Sequence, residues 1–162
     1  MLFPSSVETF PEMRFHKDGT LPNDGEIFVF GSNLRGLHGA GAAKVAVTRY
    51  GAKLGNPVGF QGRSYAIPTK DTLLQPLPLD AVKEHVKAFV DFTNLRPELS
   101  FFITRVGCGL AGYQNYELAP MFIGCNDNCS FPDAWIQYLS KPCVSYYMSE
   151  TEYLTHVLNK SL

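Results

Sequence analysis

The segment "ITRVGCGLAGY" (103–113) overlaps the apolar run "LSFFITRV" (99–106) and places glycines at Gly107, Gly109 and Gly112 in the pattern G-x-G-x-x-G. In a Rossmann fold, this pattern forms the turn between a strand and a helix that binds a dinucleotide. The same glycines could instead expose a ring of backbone N–H groups that cradles a pyrophosphate in a different fold. The segment therefore predicts a nucleotide site at the end of a buried strand.

The residues after the third glycine favour the cradle. The Rossmann fingerprint opens a helix at that glycine and has an acidic residue about 20 positions later, at the end of a second strand. Here a turn-like sequence, Tyr113-Gln114-Asn115, follows, and "CNDNCSFPD" (125–133) stands where that second strand would end. The pattern also lies in the back half of the chain rather than in its first β-α-β unit. As a Rossmann signature it is weak.

Apolar patterning predicts that strands alternate with helices along the chain. Strands are expected at 13–16, in "EIFVFGSN" (26–33), in "RSYAIPTK" (63–70, ended by Pro68), in "LSFFITRV" (99–106), in "AWIQYL" (134–139) and in "VSYYM" (144–148). In "GLHGAGAAKVAVTRYGA" (36–52) a Gly-rich loop is expected to run into a helix that stops near Gly51. Further helices are expected in "LPLDAVKEHVKAFVDFTN" (77–94), in "YELAPMFIG" (116–124, short helix or turn) and from Ser149 to Lys160, opened by a capping box with Glu152. This order indicates an α/β fold with a sheet covered on both faces.

Composition indicates one domain. The chain has 162 residues and 45% hydrophobic content, enough for a single core, which we place at 26–162 behind an irregular N-terminal extension at 1–25. No apolar run is long enough for a membrane span, and the N-terminus lacks the pattern of a signal peptide, so a cytoplasmic protein is expected. Cys125-x3-Cys129 with Cys143 downstream does not match a zinc-binding spacing, so reduced thiols and no metal are expected.

The basic residues are unevenly distributed. Although the net charge is −1, six Lys and Arg residues and no Asp or Glu lie between Arg35 and Lys70. The net charge excludes a general nucleic-acid-coating protein, whereas the basic segment suits a site for phosphate groups. A chance excess of cations on solvated faces is the alternative.

Three of the predicted strands end in residues that could carry chemistry. These are Asn33 with the loop 38–41, Thr69-Lys70, and the loop 107–112. Ligands of α/β sheets bind beyond the carboxyl ends of the strands, so these groups are expected to converge. Lys70 could be a nucleophile toward a sugar C1″ carbon or an ordinary surface lysine, and Asn33 could bind a ribose or cap its turn.

The order "VFGSN…HGAGAAKVA…YAIPTK…ITRVGCGLAGY" (29–113) resembles that of the macro domain, a module that binds ADP-ribose; the similarity extends over about 26–123. The resemblance implies a three-layer α/β/α sandwich with a central mixed sheet, no cofactor, and ADP-ribose as ligand or product. It also implies that two Gly-rich loops hold the phosphates and that an aromatic residue lies near the distal ribose. The ligand-binding residues it indicates are Asn33, His38, Gly39, Ala40, Gly41, Thr69, Gly107, Cys108, Gly109, Leu110, Ala111, Gly112 and Tyr113.

Within the macro domains, Thr69-Lys70 and "VGCG" (106–109) look like motifs of the branch that removes ADP-ribose from proteins and from DNA, and of small macro-like phage and bacterial proteins. This resemblance implies that Lys70 is catalytic and that the partner is an ADP-ribosylated macromolecule, with transient nucleic-acid contact and no membrane. No Gly-Asp pair precedes Glu26, and Ala111 replaces an acid found in some of these hydrolases. A non-catalytic reader of ADP-ribose, and more distantly a Rossmann-type NAD protein, are therefore alternatives.

Overall fold

The computed structural model describes residues 13–139, which form one mixed sheet flanked by helices. The strands are β1 (Arg14–His16), β2 (Glu26–Asn33), β3 (Gly59–Gln61), β4 (Ser64–Lys70), β5 (Ser100–Ile103) and β6 (Cys129–Pro132). The helices are α1 (Gly41–Tyr50), α2 (Leu79–Leu95), α3 (Asn115–Leu118) and α4 (Ile136–Leu139), with 3₁₀ turns at Ala119–Phe122 and Asp133–Trp135. The architecture is α/β and compatible with the expected three-layer α/β/α sandwich.

The six strands lie in the order β1-β6-β5-β2-β4-β3. All neighbouring pairs are parallel except β3 and β4, which are antiparallel. The carboxyl ends of β1, β2, β4, β5 and β6 therefore meet at one edge of the sheet. The loops that follow these strands lie along that edge, where ligands of open α/β sheets bind.

Side chains of β2 alternate between two separate apolar cores. Ile27 and Val29 face the larger core, which also contains Val82, Val86 and Phe89 of α2. Phe28 and Phe30 face the smaller core, which contains Ala43 and Ala46 of α1. Because successive side chains of a strand point to opposite faces, β2 is apolar at four consecutive positions, 27–30, as expected for a strand covered on both faces.

The two long helices differ in how they cover the sheet. α2 presents its buried residues at a spacing of three and four, the pattern of an amphipathic helix. α1 is rich in alanine, so its backbone can approach the aromatic side chains of β2. It ends at Gly51, whose φ of 71° is left-handed and whose N–H donates to the carbonyl of Ala46.

The structure corrects two predictions about strands. The segment "AWIQYL" is not a strand: it forms a 3₁₀ turn and α4, because Trp135 and Leu139, four residues apart, are both buried on one helical face. Pro68 does not end β4, which continues to Lys70. β3 pairs with β4 only as far as Ala66, so one flank of β4 is unpaired at the proline.

The other strand and helix predictions within the described residues are confirmed, including a strand at Arg14–His16 and short helical turns from Asn115, although β5 ends at Ile103, three residues before the end of the predicted strand. β3 and β6, with three and four residues, were not predicted. The predicted strand at 144–148 and the predicted helix from Ser149 lie outside the described residues. Within 13–139, no helix combines the length and the hydrophobicity that crossing a membrane requires.

Candidate functional site

A cavity of about 510 Å³ lies at the carboxyl edge of the sheet, between the ends of β2, β4 and β5. This volume is in the range of small-molecule sites. Its basic side chains are Lys70 and Arg105, and no Asp or Glu among residues 13–139 belongs to its lining. The remaining lining residues are Gly31, Ser32, Asn33, Leu37, Gly39, Ala40, Gly41, Ala42, Ala43, Thr69, Leu74, Thr104, Gly107, Gly109, Leu110 and Ala111.

The first wall of the cavity is the amino end of α1. Ala40 is the N-cap residue and makes no side-chain capping bond, and no acidic residue lies in the first turn. The first backbone bond of the helix is donated by Lys44 to the carbonyl of Ala40. No described residue accepts a hydrogen bond from the N–H groups of 41–43, which therefore remain for an anion and carry the positive end of the helix dipole.

The second wall is the glycine loop 107–112. Its own backbone bonds run from the N–H of Gly112 to the carbonyl of Gly109 and from the N–H of Tyr113 to the carbonyl of Gly107. No described residue accepts from the N–H groups of Gly109, Leu110 or Ala111, and all three residues line the cavity. Three successive unpaired N–H groups in a turn form an anion-binding nest.

Close packing at Gly31 holds this loop against the strand ends. A Cβ on Gly31 would lie 3.2 Å from the nitrogen of Gly107 and 3.4 Å from Oγ1 of Thr69. Gly107 itself has a φ of 76°, which favours glycine. Thr69 is buried and donates from Oγ1 to the carbonyl of Ser32 at 3.3 Å. Small residues at these positions therefore let the loop 107–112 pack closely against the ends of the strands that line the cavity.

Lys70 is half-buried at the end of β4 and lines the cavity. Its neighbour Asp71 is turned away: one carboxylate oxygen accepts bonds from the N–H groups of Leu73, at 2.8 Å, and Gln75, at 3.0 Å. No carboxylate among the described residues forms an ion pair with Lys70. The amine is therefore left to act on a ligand.

Asn33 closes the turn that precedes the Gly-rich loop 38–41. Its Nδ2 donates to the carbonyl of Leu37 at 2.7 Å, and its Oδ1 accepts from the N–H of Leu37 at 3.1 Å. The capping alternative for this residue is therefore realised, although Asn33 still lines the cavity. His38 is 2% exposed and donates from Nε2 to the carbonyl of Asn56 at 3.1 Å, so it supports the loop from within.

A second cavity of about 300 Å³ adjoins the first and shares the lining residues Ala42, Thr104, Arg105 and Gly109 with it. Its other lining residues are His16, Asp18, Gly19, Thr20, Leu21, Phe28, Val45, Phe102 and Cys108. It thus combines aromatic surface with one carboxylate. It lies beside the end of β1, on the α1 side of the sheet.

Two ionisable groups of the second cavity have shifted pKa values. Burial lowers the pKa of His16, whose ring stacks on Phe102 with a centroid distance of 3.6 Å and whose Nδ1 lies 2.7 Å from Oγ of Ser130. Burial also raises the pKa of the Cys108 thiol to about 11. Cys108 is therefore a protonated thiol at neutral pH rather than a ready nucleophile.

Most of the residues indicated by the sequence meet in the first cavity. Those that line it are Asn33, Gly39, Ala40, Gly41, Thr69, Lys70, Gly107, Gly109, Leu110 and Ala111. Cys108 lines the second cavity. His38, Gly112 and Tyr113 line neither, and Tyr113 packs against the larger core. Among residues 13–139, no three side chains of His, Cys, Asp or Glu cluster as metal ligands would.

Sequence reasoning missed Arg105 and Asp18. Arg105 follows β5 by two residues, the same kind of strand-end position that singled out Asn33 and Lys70. Asp18 follows β1, which was predicted as a strand but not as a parallel neighbour of the others. The signal in both cases was a charged residue just beyond a predicted strand.

No protein-family model matches the sequence, and no curated protein matches it. The structure is similar to that of a protein of unknown function from Bacteroides thetaiotaomicron, with 18% identity and a TM-score of 0.51 over 75% of this chain and 97% of that chain. A second protein from Bacteroides thetaiotaomicron is 22% identical, with a TM-score of 0.43 over 75% of this chain and 99% of that chain. The first similarity concerns the fold alone.

Proposed function

We propose that this protein binds ADP-ribose and removes it from a modified macromolecule by hydrolysis at C1″. The observation that carries the proposal is the first cavity: residues with unpaired N–H groups, in the first turn of α1 and in the loop 107–112, line one space together with Lys70 and Arg105, and no carboxylate of residues 13–139 lines it. A pyrophosphate satisfies such a donor set because it supplies several anionic oxygens. The ordered motifs that resemble the macro domain support the same ligand.

The second cavity supports a ligand with two parts. Phe28 and Phe102 offer apolar surface to a heterocycle, and the carboxylate of Asp18 can accept a hydrogen bond from an exocyclic amine. The sequence contains no match for the Gly-Asp pair of macro domains, so the residue that would contact the adenine amine was not identified there. Asp18 is our candidate for that role. A nucleotide with its base in the second cavity and its phosphates in the first would occupy both.

In the reaction that we propose, the amine of Lys70 attacks C1″ of the adduct and gives up a proton. The bond between C1″ and the carrier breaks, and the carrier leaves with the bonding electrons and takes up a proton. Water then hydrolyses the Lys70 adduct, an imine in its ring-opened form, to release ADP-ribose and the free lysine. The two loops hold the phosphates while this occurs.

Release of ADP-ribose from modified DNA and from modified protein tests this function. Lys70→Ala and Lys70→Arg should both abolish release, and Lys70→Arg should still bind ADP-ribose because it keeps the charge. Lys83→Ala is the matched control, since Lys83 is an exposed lysine of α2 that lines neither cavity. Reduction with cyanoborohydride during turnover should trap ADP-ribose on the peptide that contains Lys70.

A non-catalytic reader is the second candidate, and one observation favours it. Among residues 13–139 no carboxylate lines the first cavity, so none of the described lining residues is a conventional carboxylate acid or base for activating water. A reader would bind ADP-ribose tightly, release nothing from either substrate, and bind equally well after Lys70→Ala. That combination would overturn the catalytic assignment of Lys70 and leave the binding site in place.

A further inference from the structure

Arg105 occupies the junction of the two cavities. It lines both of them, and its side chain is 37% exposed. The other residues shared by the two cavities are Ala42, Thr104 and Gly109, which are uncharged. A ligand that extends from one cavity into the other would therefore pass beside a single cationic group.

The orientation of the Arg105 guanidinium is set by the core. Its Nε donates to Oδ1 of Asn115 at 3.0 Å, and the same oxygen accepts a bond from Nε1 of the fully buried Trp135 at 3.0 Å. Asn115 begins α3, so the first turn of that helix and the indole together fix the acceptor. A guanidinium held in this way at one edge loses little freedom when its other N–H groups bind an anion.

The opposite side of the guanidinium faces Asp18. The distance from Nη1 of Arg105 to Oδ2 of Asp18 is 3.5 Å, longer than a hydrogen bond, and both side chains are partly exposed. Asp18 therefore acts on Arg105 mainly through its charge, whereas Asn115 sets its direction. The carboxylate of Asp18 therefore partly neutralises the cation that an anionic ligand would need.

We propose that Arg105 is a specificity-determining residue that binds an anionic group of the ligand at the junction of the two cavities, and that Asp18 competes with this anion. The inference deepens the proposed function and rests on it in taking a phosphorylated ligand as the occupant. Backbone N–H groups donate hydrogen bonds to any suitably shaped phosphate. Arg105 adds a preference for ligands whose anionic part reaches the junction, such as a diphosphate, over a single phosphate or a neutral nucleoside.

Calorimetric titration with inorganic pyrophosphate, phosphate and adenosine tests the role of Arg105. Arg105→Gln should weaken pyrophosphate binding on the order of ten- to a hundredfold, the usual range for removing a charge-assisted hydrogen bond. Phosphate and adenosine should bind nearly as to the wild type. Arg105→Lys should have a smaller effect, because it keeps the charge without the fork that Asn115 orients.

Asp18→Asn should have the opposite effect on pyrophosphate binding from Arg105→Gln. This difference distinguishes a ligand-binding role of Arg105 from a purely structural one. Asp18→Asn should strengthen pyrophosphate binding roughly two- to fivefold, because it removes a competing charge from a partly exposed pair. Arg96→Gln and Glu98→Gln are matched controls, since Arg96 and Glu98 form another exposed ion pair that lines neither cavity. Pyrophosphate binding that is unchanged in Arg105→Gln, or weakened in Asp18→Asn, would overturn the proposal.

The two proposals can fail separately. If pyrophosphate binding depends on Arg105 but ADP-ribose does not bind, the inference stands and the proposed function falls. If ADP-ribose binds equally to wild type and Arg105→Gln, the function stands and the inference falls. Should Arg105→Gln not fold, as judged by its circular dichroism, Arg105→Lys and Asp18→Asn decide the question by their opposite signs.

Discussion

Cys108 lies between two glycines of the loop 107–112, a position that invites assignment as a nucleophile. Burial raises its pKa to about 11. At neutral pH the group is therefore the thiol, and the thiolate that attacks electrophiles is scarce. Its environment in the second cavity suits packing against a ligand better than covalent chemistry.

We expect Cys108→Ser to keep the release of ADP-ribose within a fewfold of the wild type. Alkylation of Cys108 by iodoacetamide, followed by peptide mass spectrometry, should be slow at pH 8 and accelerate only as the pH approaches about 11. Fast alkylation at neutral pH, or the absence of release in Cys108→Ser, would show that this thiol is reactive and that its role has been misassigned.

Protonation of His16 makes the stability of the fold depend on pH. Burial lowers its pKa from 6.5, and a hydrogen bond to the carbonyl of Ile103 and the charges of Glu26, Asp18 and Asp133 oppose this shift. A histidine with a lowered folded-state pKa binds fewer protons in the folded than in the unfolded protein. Its contribution to stability is therefore complete above pH 6.5 and decreases as the pH falls below that value.

We expect the thermal midpoint of the wild type to fall between about pH 7.5 and about pH 5.5 more steeply than that of His16→Phe, which cannot titrate but keeps a ring on Phe102. Thermal unfolding followed by circular dichroism at several pH values gives the two curves. Parallel curves would mean that the protonation of His16 is the same in the folded and unfolded states.

At the scale of elements, the amino end of α1 is a site where stability and binding oppose each other. Ala40 is exposed and has extended backbone angles, φ −149° and ψ 161°, which suit a capping side chain. An alanine leaves the first N–H groups of the helix without side-chain partners. The helix is thus less stable than it could be, and its donors remain available to a ligand.

We expect Ala40→Asp to stabilise the protein by about 0.5–2 kcal/mol, because the carboxylate caps the helix. The same variant should weaken ADP-ribose binding on the order of tenfold, because the new acceptor and its charge compete with the phosphates. Ala40→Ser is the control with a cap and no charge, and its affinity should fall less. Chemical denaturation and calorimetry measure the two effects; undiminished binding by Ala40→Asp would exclude this helix end from the site.

The elements that the sequence predicted well are those with clear periodicity. β2, β4 and β5 are apolar runs, and α2 repeats its apolar residues every three or four positions. β3 and β6 were missed because three or four residues carry no period, and "AWIQYL" was assigned wrongly because a short apolar run suits a strand or a helix equally. Only the burial of Trp135 and Leu139 on one face shows that this segment is helical.

The candidate site was predictable where a strand end was predictable. Asn33, Lys70 and the loop 107–112 follow recognised strands, and the structure brings all three to one cavity. Asp18 was missed because its position depends on β1 pairing in parallel with β6, and β6 itself was not foreseen. The hydrogen bond between Arg105 and Asn115 connects residues of a loop and a short helix, which no local pattern encodes.

At the scale of the whole molecule, charge differs between the helical layer that contains α1 and the one that contains α2. The acid-free segment 35–70 includes α1 and carries six basic residues, whereas α2 carries Asp80, Glu84 and Asp91 beside its two lysines. The first cavity opens at the amino end of α1. A macromolecular substrate that is itself a polyanion is therefore attracted to the α1 side.

We expect the release of ADP-ribose from modified DNA to weaken steeply with salt, and its release from modified protein to change less. The combined variant Lys44→Gln, Arg49→Gln and Lys53→Gln should lower the slope of log affinity against log salt by about one for each phosphate that the protein no longer neutralises. Lys83→Gln with Lys87→Gln on α2 is the control. A flat salt response of the wild type would exclude nucleic acid as the carrier.

The proposed function depends above all on unpaired backbone N–H groups of two loops that bind the phosphates of ADP-ribose. Titration of ¹⁵N-labelled protein with ADP-ribose, followed by NMR, observes those groups directly. We predict saturable shifts at the amides of Gly109, Leu110, Ala111 and Ala42, with the amides of α2 unchanged. Saturable binding that leaves these four amides unperturbed, or no binding at all, would contradict this assignment.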